Sequence, residues 1–167
     1  MVGDYDAAAE SARAAMVQRL RAMGRSEATL AAFASVPRHR LVDRFWTLPN
    51  LIGERRTVAV EHREGDVAGV RMLHDADRAL AVKPPSRHTG VTTSTASAPA
   101  LLAVQTDLLA LTPGMRVLEI GTGPGYFAAI LAELVGPGGR VVTIDIDEPV
   151  ATGAASRLAR LGYDNVT

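Results

Sequence analysis

The chain has 167 residues, 47% hydrophobic and 22% charged, a composition typical of a globular protein rather than of a disordered chain. Its 18 basic and 18 acidic residues cancel, so no overall positive field favours nucleic acid or an anionic membrane as a partner. Cysteine is absent, which excludes disulfides, thiolate metal sites and thiol catalysis. The acidic start, MVGDYDAAAESARAAM, has no basic stretch and no long apolar run, so we expect neither a signal peptide nor a membrane span and predict a cytoplasmic protein.

Two helices are predicted near the N-terminus. The first is capped by Asp4 or Asp6 and runs through Met23, with apolar residues at helical spacing. Ser26 caps the second helix, which ends before Pro37 because proline disfavours helical geometry in the residue that precedes it. The short connection between the two helices predicts a helical hairpin.

A β-hairpin is predicted next. Val58 and Val60 alternate with polar residues, as in a half-buried strand. Glu64-Gly65-Asp66 is typical of a turn, and Val67 to Leu73 is then expected to return as the partner strand.

A domain junction is predicted between residues 85 and 86. Lys83-Pro84-Pro85-Ser86-Arg87 interrupts any regular element, and Thr92 to Ser97 is a run of small and polar residues typical of a loop. We therefore expect an N-terminal region of helical hairpin and β-hairpin at residues 1–85, and a second domain at residues 86–167.

The second domain alternates helices and strands, the order found in α/β proteins with a parallel sheet. A turn at Thr112-Pro113-Gly114 separates the first helix from the first strand. The predicted elements are a helix from Pro99 to Leu111, a strand from Arg116 to Ile120, a helix from Tyr126 to Val135, a strand from Arg140 to Ile144 and a helix from Ala151 to Leu161.

A glycine-rich loop joins the first strand of this domain to the helix that follows. The run from Glu119 to Gly125 reads E-x-G-x-G-x-G, and glycine at these positions lets the backbone approach a ligand closely. A dinucleotide fingerprint would need glycine where Tyr126 stands, which argues against a nicotinamide cofactor. The alternative is a glycine-rich turn between a strand and a helix that binds no ligand.

Two acidic residues favour a ligand over a simple turn. Asp145 ends the second strand, where a carboxylate can accept hydrogen bonds from ribose hydroxyls. Glu119 lies beside the loop, where it can bind the ammonium group of a cofactor with an amino-acid end but would repel a pyrophosphate. The sequence therefore predicts an S-adenosylmethionine site formed by Glu119, Gly121, Thr122, Gly123, Gly125, Tyr126 and Asp145.

Five motifs of the sequence occur in the order VPRH at 36–39, LHDADRALAV at 73–82, SAP at 97–99, VLEIGTGPGY at 117–126 and LGYDNV at 161–166. By these motifs the sequence resembles the protein-L-isoaspartate O-methyltransferase family. The resemblance covers most of the chain except roughly Trp46 to Met72, an extra segment that resembles a branch associated with modified-peptide biosynthesis. It implies methyl transfer from S-adenosylmethionine to a side-chain carboxylate of a protein or peptide, an isoaspartate in repair or an aspartate in peptide maturation.

The resemblance also implies a catalytic residue, Ser97. The active-site serine of the family lies in a threonine-x-serine-glutamine-proline stretch, which Thr95-Ala96-Ser97-Ala98-Pro99 matches at threonine, serine and proline. Ala98 replaces the glutamine, which removes a hydrogen-bonding amide from this loop. Ser97 can also be read as the N-cap of the helix that begins at Pro99, and the two roles are compatible.

Other candidate residues are interpreted as structural. Arg38 can attract a substrate carboxylate, but a single arginine after proline is more often a structural contact. Phe45 and Trp46 are expected in the core rather than in a base-stacking platform. No metal site is predicted, because the histidines lack the spacing of ligands: His39, His62, His74 and His88.

The predicted fold class is α/β: the N-terminal region is followed by the first half of a Rossmann-like methyltransferase domain. Only two complete strands precede the last residues, so the chain is expected to be truncated and to transfer methyl groups poorly by itself. The alternative function is a noncatalytic cofactor- or peptide-binding module that serves assembly. Self-association is expected through an exposed sheet edge that carries Val141, Ile144 and Val166.

Overall fold

The computed structural model describes residues 2–47, 60–86 and 91–167. Its first half is mainly helical, with one small antiparallel sheet, and its second half is a parallel β-α-β unit with a helix at each end. The elements up to residue 96 are α1 (Val2–Ala22), α2 (Glu27–Ser35), α3 (Arg38–Leu41), β1 (Arg44–Thr47), β2 (Val60–Arg63), α4 (Val67–Leu73), β3 (Leu80–Ala81) and β4 (Thr95–Ala96). The later elements are α5 (Pro99–Leu109), β5 (Arg116–Ile120), α6 (Tyr126–Val135), β6 (Arg140–Ile144) and α7 (Glu148–Arg160).

The two predicted N-terminal helices are present and pack in one core. Helix α1 starts at Val2, before either predicted cap, and ends before Gly24, whose positive φ of 72° ends the helical path. The Ser26 side chain caps α2 by accepting a hydrogen bond from the Thr29 amide, as predicted. Helix α2 ends at Ser35, so the proline after it stops the helix where the sequence indicates.

The predicted β-hairpin is wrong in its second strand. Residues Val67–Leu73 form helix α4 because Asp66 caps it, accepting a hydrogen bond from the Gly69 amide at 3.0 Å. Val70 and Leu73, which lie three residues apart, are both buried on one side of this helix. Strand β2 pairs instead with β1, antiparallel, in the register Phe45 to His62. Val58 lies outside the described residues.

The antiparallel sheet has the strand order β2-β1-β3-β4 and includes part of a segment predicted to be a loop. Thr95 and Ala96 form the short strand β4, which pairs with Leu80 and Ala81 of β3. The polar run before Ser97 is therefore only partly a loop, because its backbone groups complete a sheet edge. This pairing fixes the segment that carries Ser97 on the N-terminal half of the molecule, although the predicted boundary between domains precedes it.

Strands β5 and β6 form a two-stranded parallel sheet, with the bounds that the sequence predicts. Helix α6 also has its predicted bounds, whereas α5 ends two residues earlier than predicted, at Leu109. Helix α7 begins at Glu148 rather than Ala151, because the Asp147 side chain caps it at the Val150 amide. A parallel bridge from Val141 to Val166 continues the sheet on its β6 side.

The parallel sheet is covered on one face only by the described residues. Val141 is fully buried under the helices and belongs to the main core, so it is not part of an exposed edge as predicted. On the opposite face Leu118 and Ile120 are 61% and 79% exposed, and Ile144 is 49% exposed. Exposed apolar side chains of this size in a parallel sheet are unusual, since both faces of such sheets are normally covered.

A single core joins the N-terminal helices to the β-α-β unit. It includes residues of α1, α2, α5, α6, β6 and α7, among them Leu20, Phe33, Ala103, Ile130 and Leu158. Within the described part of the chain, no helix is both long enough and apolar enough to cross a membrane.

The turn between α6 and β6 provides a test of this packing. A Cβ at Gly139 would lie 2.5 Å from the Val135 Cβ and 2.7 Å from the Met115 carbonyl oxygen. We expect Gly139→Ala to lower the free energy of unfolding by roughly 1 to 3 kcal/mol, the usual cost of overpacking. Urea denaturation measures the change.

The matched control is Gly138→Ala, since a Cβ at Gly138 would meet no atom within 4 Å. This substitution should leave the stability unchanged or raise it slightly. Equal stability of the two variants would contradict the packing described for the turn.

Candidate functional site

The glycine-rich loop lies between the end of β5 and the start of α6. Gly123 and Gly125 both have positive φ, 51° and 87°, and Gly125 is the N-cap of α6. A Cβ at Gly123 would lie 3.1 Å from the Thr95 carbonyl oxygen, and a Cβ at Gly125 would lie 3.1 Å from a methyl carbon of Leu158. These glycines are therefore needed for packing inside the chain as well as for conformation. Gly121 lies at the exposed start of the loop.

Asp145 holds the glycine-rich loop from the neighbouring strand end. One carboxylate oxygen accepts a hydrogen bond from the Gly123 amide at 3.0 Å, and the other accepts one from the Asp147 amide at 3.0 Å. The predicted role for Asp145 is binding of ribose hydroxyls. A carboxylate has about four lone-pair sites, so these two contacts leave acceptor capacity for a ligand.

Glu119 belongs to a chain of side-chain hydrogen bonds across the two strands. The Thr143 hydroxyl donates to the Glu119 carboxylate at 2.6 Å, and the Thr122 and Thr143 hydroxyl oxygens lie 2.8 Å apart. Burial raises the pKa of Glu119 to about 7, and the nearby Asp145 charge acts in the same direction, while the Thr143 hydrogen bond opposes them. A cation bound beside Glu119 would favour its ionised form.

Tyr126, another predicted cofactor residue, has its side chain in the core. The ring is 1% exposed, lies edge-on to Phe33 at a centroid distance of 6.1 Å, and faces the Arg38 guanidinium at 4.9 Å. Burial raises the pKa of its hydroxyl to about 12. The Tyr126 side chain thus supports the start of α6 from the core side, directly after the glycine-rich loop.

Ser97 is not the N-cap of α5. That position belongs to Ala98, which has no side-chain capping bond, and Pro99 begins the helix. The N-cap interpretation is therefore wrong: two residues before the helical start, the Ser97 hydroxyl is one position too early. Within the described residues this hydroxyl makes no hydrogen bond, while the Ser97 carbonyl accepts one from the Arg38 guanidinium at 3.1 Å.

One cavity of about 550 Å³ brings most of the predicted site residues together. This volume lies within the usual range for small-molecule sites. The predicted residues that line it are Ser97, Glu119, Gly121, Thr122 and Tyr126. Gly123, Gly125 and Asp145 do not line it: the two glycines shape the loop, and Asp145 holds the loop by its bond to the Gly123 amide.

Two residues of this region were not among the predicted site residues. Thr143 was only part of a strand in the sequence analysis, and its alternation with Val141 and Asp145 was the available signal that it faces Glu119. Arg38 was interpreted as a structural contact, and its burial against Tyr126 and Ser97 had no local signal in the sequence.

The other residues singled out by the sequence have structural contacts. Phe45 is buried, as predicted, and stacks on His62 at 4.7 Å; Trp46 is half-buried under the Arg44 guanidinium. His62 is hydrogen-bonded to Asp66, and His74 is hydrogen-bonded to the Val70 carbonyl of α4. Over residues 2–47, 60–86 and 91–167, no three histidine or acidic residues are grouped so as to hold a metal ion; His88 lies outside these ranges.

Comparison with known proteins finds similarity to protein-L-isoaspartate O-methyltransferases. Residues 86–167 match the family model for protein-L-isoaspartate(D-aspartate) O-methyltransferase. A protein-L-isoaspartate O-methyltransferase from Methanopyrus kandleri is 35% identical over 155 residues, which are 92% of this chain and 54% of that protein. The chain thus spans about half the length of this relative, and about a third of other curated relatives that it matches.

Solved structures agree in fold. One protein-L-isoaspartate O-methyltransferase structure superimposes with a TM-score of 0.68 and 27% identity, over 92% of this chain and 40% of that chain. A Plasmodium falciparum protein assigned as a protein-L-isoaspartate O-methyltransferase, in complex with S-adenosyl-L-homocysteine, has a TM-score of 0.55 at 15% identity, over 91% of this chain and 59% of its own. This second likeness shows the fold alone, a Rossmann-like methyltransferase fold as predicted. By its sequence motifs, its family match and its fold, the chain belongs to the protein-L-isoaspartate O-methyltransferase family.

Proposed function

We propose that this chain forms the cofactor-binding part of an S-adenosylmethionine-dependent O-methyltransferase that acts on a side-chain carboxylate of a protein or peptide. One observation carries the proposal: Ser97 and Glu119 line a single cavity beside the glycine-rich loop. Family membership supports the reaction class. The methyl acceptor is an isoaspartate or an aspartate.

The residues present fit S-adenosylmethionine. The cofactor has an amino-acid end whose ammonium group suits the half-buried Glu119 carboxylate, and a ribose whose hydroxyls suit the remaining acceptor sites of Asp145. When bound, this cofactor supplies a methyl group that its sulfonium has already activated for transfer. Gly121 and Thr122 lie on the cavity wall, where backbone groups can approach a ligand closely.

The acceptor carboxylate needs little chemical help from the chain. Its reference pKa is near 4, so it is already ionised at pH 7 and requires no general base. The Ser97 hydroxyl is free within the described residues to donate a hydrogen bond that orients this carboxylate. Exclusion of water from the cavity would remove hydration from the acceptor oxygen and keep water from competing for the methyl group.

The choice between repair and peptide maturation stays a prediction. Ala98 lacks the amide of the family pattern, which favours a substrate other than isoaspartate, and the segment from Trp46 to Met72 favours the peptide-maturation branch. A cytoplasmic location and self-association also remain predictions from the sequence.

One observation favours the alternative, a noncatalytic cofactor- or peptide-binding module. The outer face of the parallel sheet exposes Leu118, Ile120 and Ile144, which leaves the neighbouring cavity open to water on that side. Cofactor binding and methyl transfer are therefore separate predictions.

The first prediction concerns cofactor binding. Gly123→Val should abolish the binding of S-adenosylhomocysteine, because a side chain there needs a positive φ and meets the Thr95 carbonyl. Asp145→Ala should weaken binding by roughly 1 to 3 kcal/mol, through loss of hydrogen bonds to a charged acceptor. Isothermal titration calorimetry measures both.

The control for this series is Glu10→Ala, which removes an exposed carboxylate of α1 that does not line the cavity. Its affinity should equal that of the native chain. Unchanged affinity in both site variants would contradict the assignment of the cofactor site.

The second prediction concerns pH. Burial raises the pKa of Glu119 to about 7. In the proposed site Glu119 would hold the ammonium group of S-adenosylhomocysteine, so binding would favour the ionised carboxylate. The affinity should therefore fall as the pH drops below 7, by up to about tenfold per pH unit. In Glu119→Gln the affinity should be low and nearly independent of pH between about 5.5 and 8, because the amide does not titrate there.

The stability of the unliganded chain should depend on pH in the opposite sense to the affinity: the contribution of Glu119 to the free energy of unfolding should grow as the pH falls. Its folded pKa is raised, so its contribution is fully present below the unfolded value of 4.5 and is lost as the pH rises through 7. Other groups also make the stability depend on pH; burial, for example, lowers the pKa of His74 to about 4. The difference in the free energy of unfolding between the native chain and Glu119→Gln cancels their contribution, and urea denaturation measures it. A difference that grows toward acid pH in favour of the glutamine variant would refute the assignment.

The third prediction concerns methyl transfer. Labelled S-adenosylmethionine is incubated with isoaspartyl and aspartyl peptides, and we expect slow transfer by the native chain and none by Ser97→Ala. Ser94→Ala is the control, since Ser94 lies in the same segment outside the cavity wall. Binding without transfer in every variant would favour the noncatalytic module, and equal transfer by both serine variants would remove Ser97 from the mechanism.

A further inference from the structure

Arg38 is the largest fully buried side chain of the described residues, at 0% exposure. It is the first residue of α3, directly after Pro37, and no carboxylate lies within salt-bridge distance of its guanidinium in the described part of the chain. Burial lowers the pKa of Arg38 to about 10, which is still high enough to keep the guanidinium charged at neutral pH. A buried cation without an ion-pair partner is costly, so its two close contacts need an explanation.

Both contacts are made with residues that line the cavity, Ser97 and Tyr126. The guanidinium donates a hydrogen bond from Nη2 to the Ser97 carbonyl oxygen at 3.1 Å, on the wall that carries the proposed catalytic hydroxyl. The guanidinium also lies 4.9 Å from the centre of the Tyr126 ring. Tyr126 is the residue that directly follows the glycine-rich loop. Such a cation–π contact between buried groups is stabilising.

The segment that precedes Ser97 also lies close to the glycine-rich loop. A Cβ at Gly123 would lie 3.1 Å from the Thr95 carbonyl oxygen, so the strand before Ser97 passes close to the middle of the glycine-rich loop. The Ala100 amide donates a hydrogen bond to the Ala76 carbonyl at 2.8 Å, which anchors the segment after Ser97. Between these two points, the described residues give Ser97 one hydrogen bond, the one from Arg38.

The surroundings of Arg38 are polar but incompletely paired. In the described residues, every buried side-chain nitrogen or oxygen without a partner belongs to four residues: Arg38, His39, His74 and Tyr126. The His39 and His74 rings lie 5.9 Å apart. Buried polar atoms without hydrogen-bond partners lower the folding stability, so a group of them is unusual in a core whose only role is to stabilise the fold.

We propose that Arg38 is a positioning residue, which fixes Ser97 relative to the glycine-rich loop by binding the Ser97 carbonyl and the Tyr126 ring together. The proposal rests on the proposed function, because it assigns Ser97 and the loop to one reaction site. Arg38 is fully buried, so it acts through these residues and does not itself touch the substrate. Lysine, with a point charge and no planar group, reproduces only the hydrogen bond.

The absence of native cysteine allows a direct test. Ser97→Cys places a single thiol at the site, and the rate of its reaction with a small maleimide reports how firmly residue 97 is held. We expect the additional change Arg38→Met to raise this rate by roughly tenfold or more, the effect of losing one charge-assisted hydrogen bond. Arg38→Lys should restore part of the protection.

A second thiol distinguishes positioning from general loosening of the core. Thr106 lies buried in α5, 3% exposed, and a thiol introduced by Thr106→Cys should react at the same slow rate with and without the Arg38→Met change. A faster reaction at both thiols would make Arg38 a stability residue only, and no change at position 97 would also overturn the proposal. If the methionine variant does not fold, the Arg38→Lys and Arg38→Gln variants are compared in the same way.

Calorimetry with S-adenosylhomocysteine separates this proposal from the proposed function. If the native chain does not bind it, the proposed function fails, whereas the thiol rates still decide whether Arg38 holds Ser97. If the native chain binds it, Arg38→Met should weaken binding several-fold more than Arg38→Lys, because the lysine variant keeps a donor for the Ser97 carbonyl.

Discussion

The in-register parallel pairing of β5 with β6 places the groups on which the rest of the site depends. Glu119 lies opposite Thr143, and Ile120 lies opposite Ile144, so both strands end at the same level. The glycine-rich loop and Asp145 follow directly at this end, where ligands bind in open parallel sheets. A shift of one residue would turn Glu119 to the opposite face and separate it from the Thr143 hydroxyl.

This arrangement gives the loop two kinds of support. Asp145 binds the Gly123 amide from the neighbouring strand, and Gly125 packs against Leu158 of α7. Both contacts are made by the protein itself, so the loop has its shape before any cofactor binds. Preorganisation of this kind reduces the free energy that binding must supply for ordering the loop.

The N-terminal half contributes to the site through contacts that cross the predicted domain boundary. Strand β4 pairs with β3, and Arg38 reaches the Ser97 carbonyl from α3. The main core also includes residues of both halves, such as Phe33 and Tyr126, whose rings meet edge-on. The cavity wall that carries Ser97 is therefore held in place by the first half of the chain, while the wall that carries Glu119 is built by the second.

The sequence by itself determined the β-α-β unit, the glycine-rich loop and the two acidic residues beside it, because the signals for these features are local: alternating apolar residues, glycine at a turn and a carboxylate at a strand end. It did not distinguish a strand from a helix at Val67–Leu73, where the segment is a helix capped by Asp66, which accepts a hydrogen bond from the Gly69 amide. Only the tertiary structure decided that Val141 is buried, that Ala98 rather than Ser97 is the N-cap, and that Arg38 lies beneath the site. Arg38 and Ser97 are 59 residues apart in the chain, and a contact across that distance arises from packing of the whole core, which no local pattern encodes.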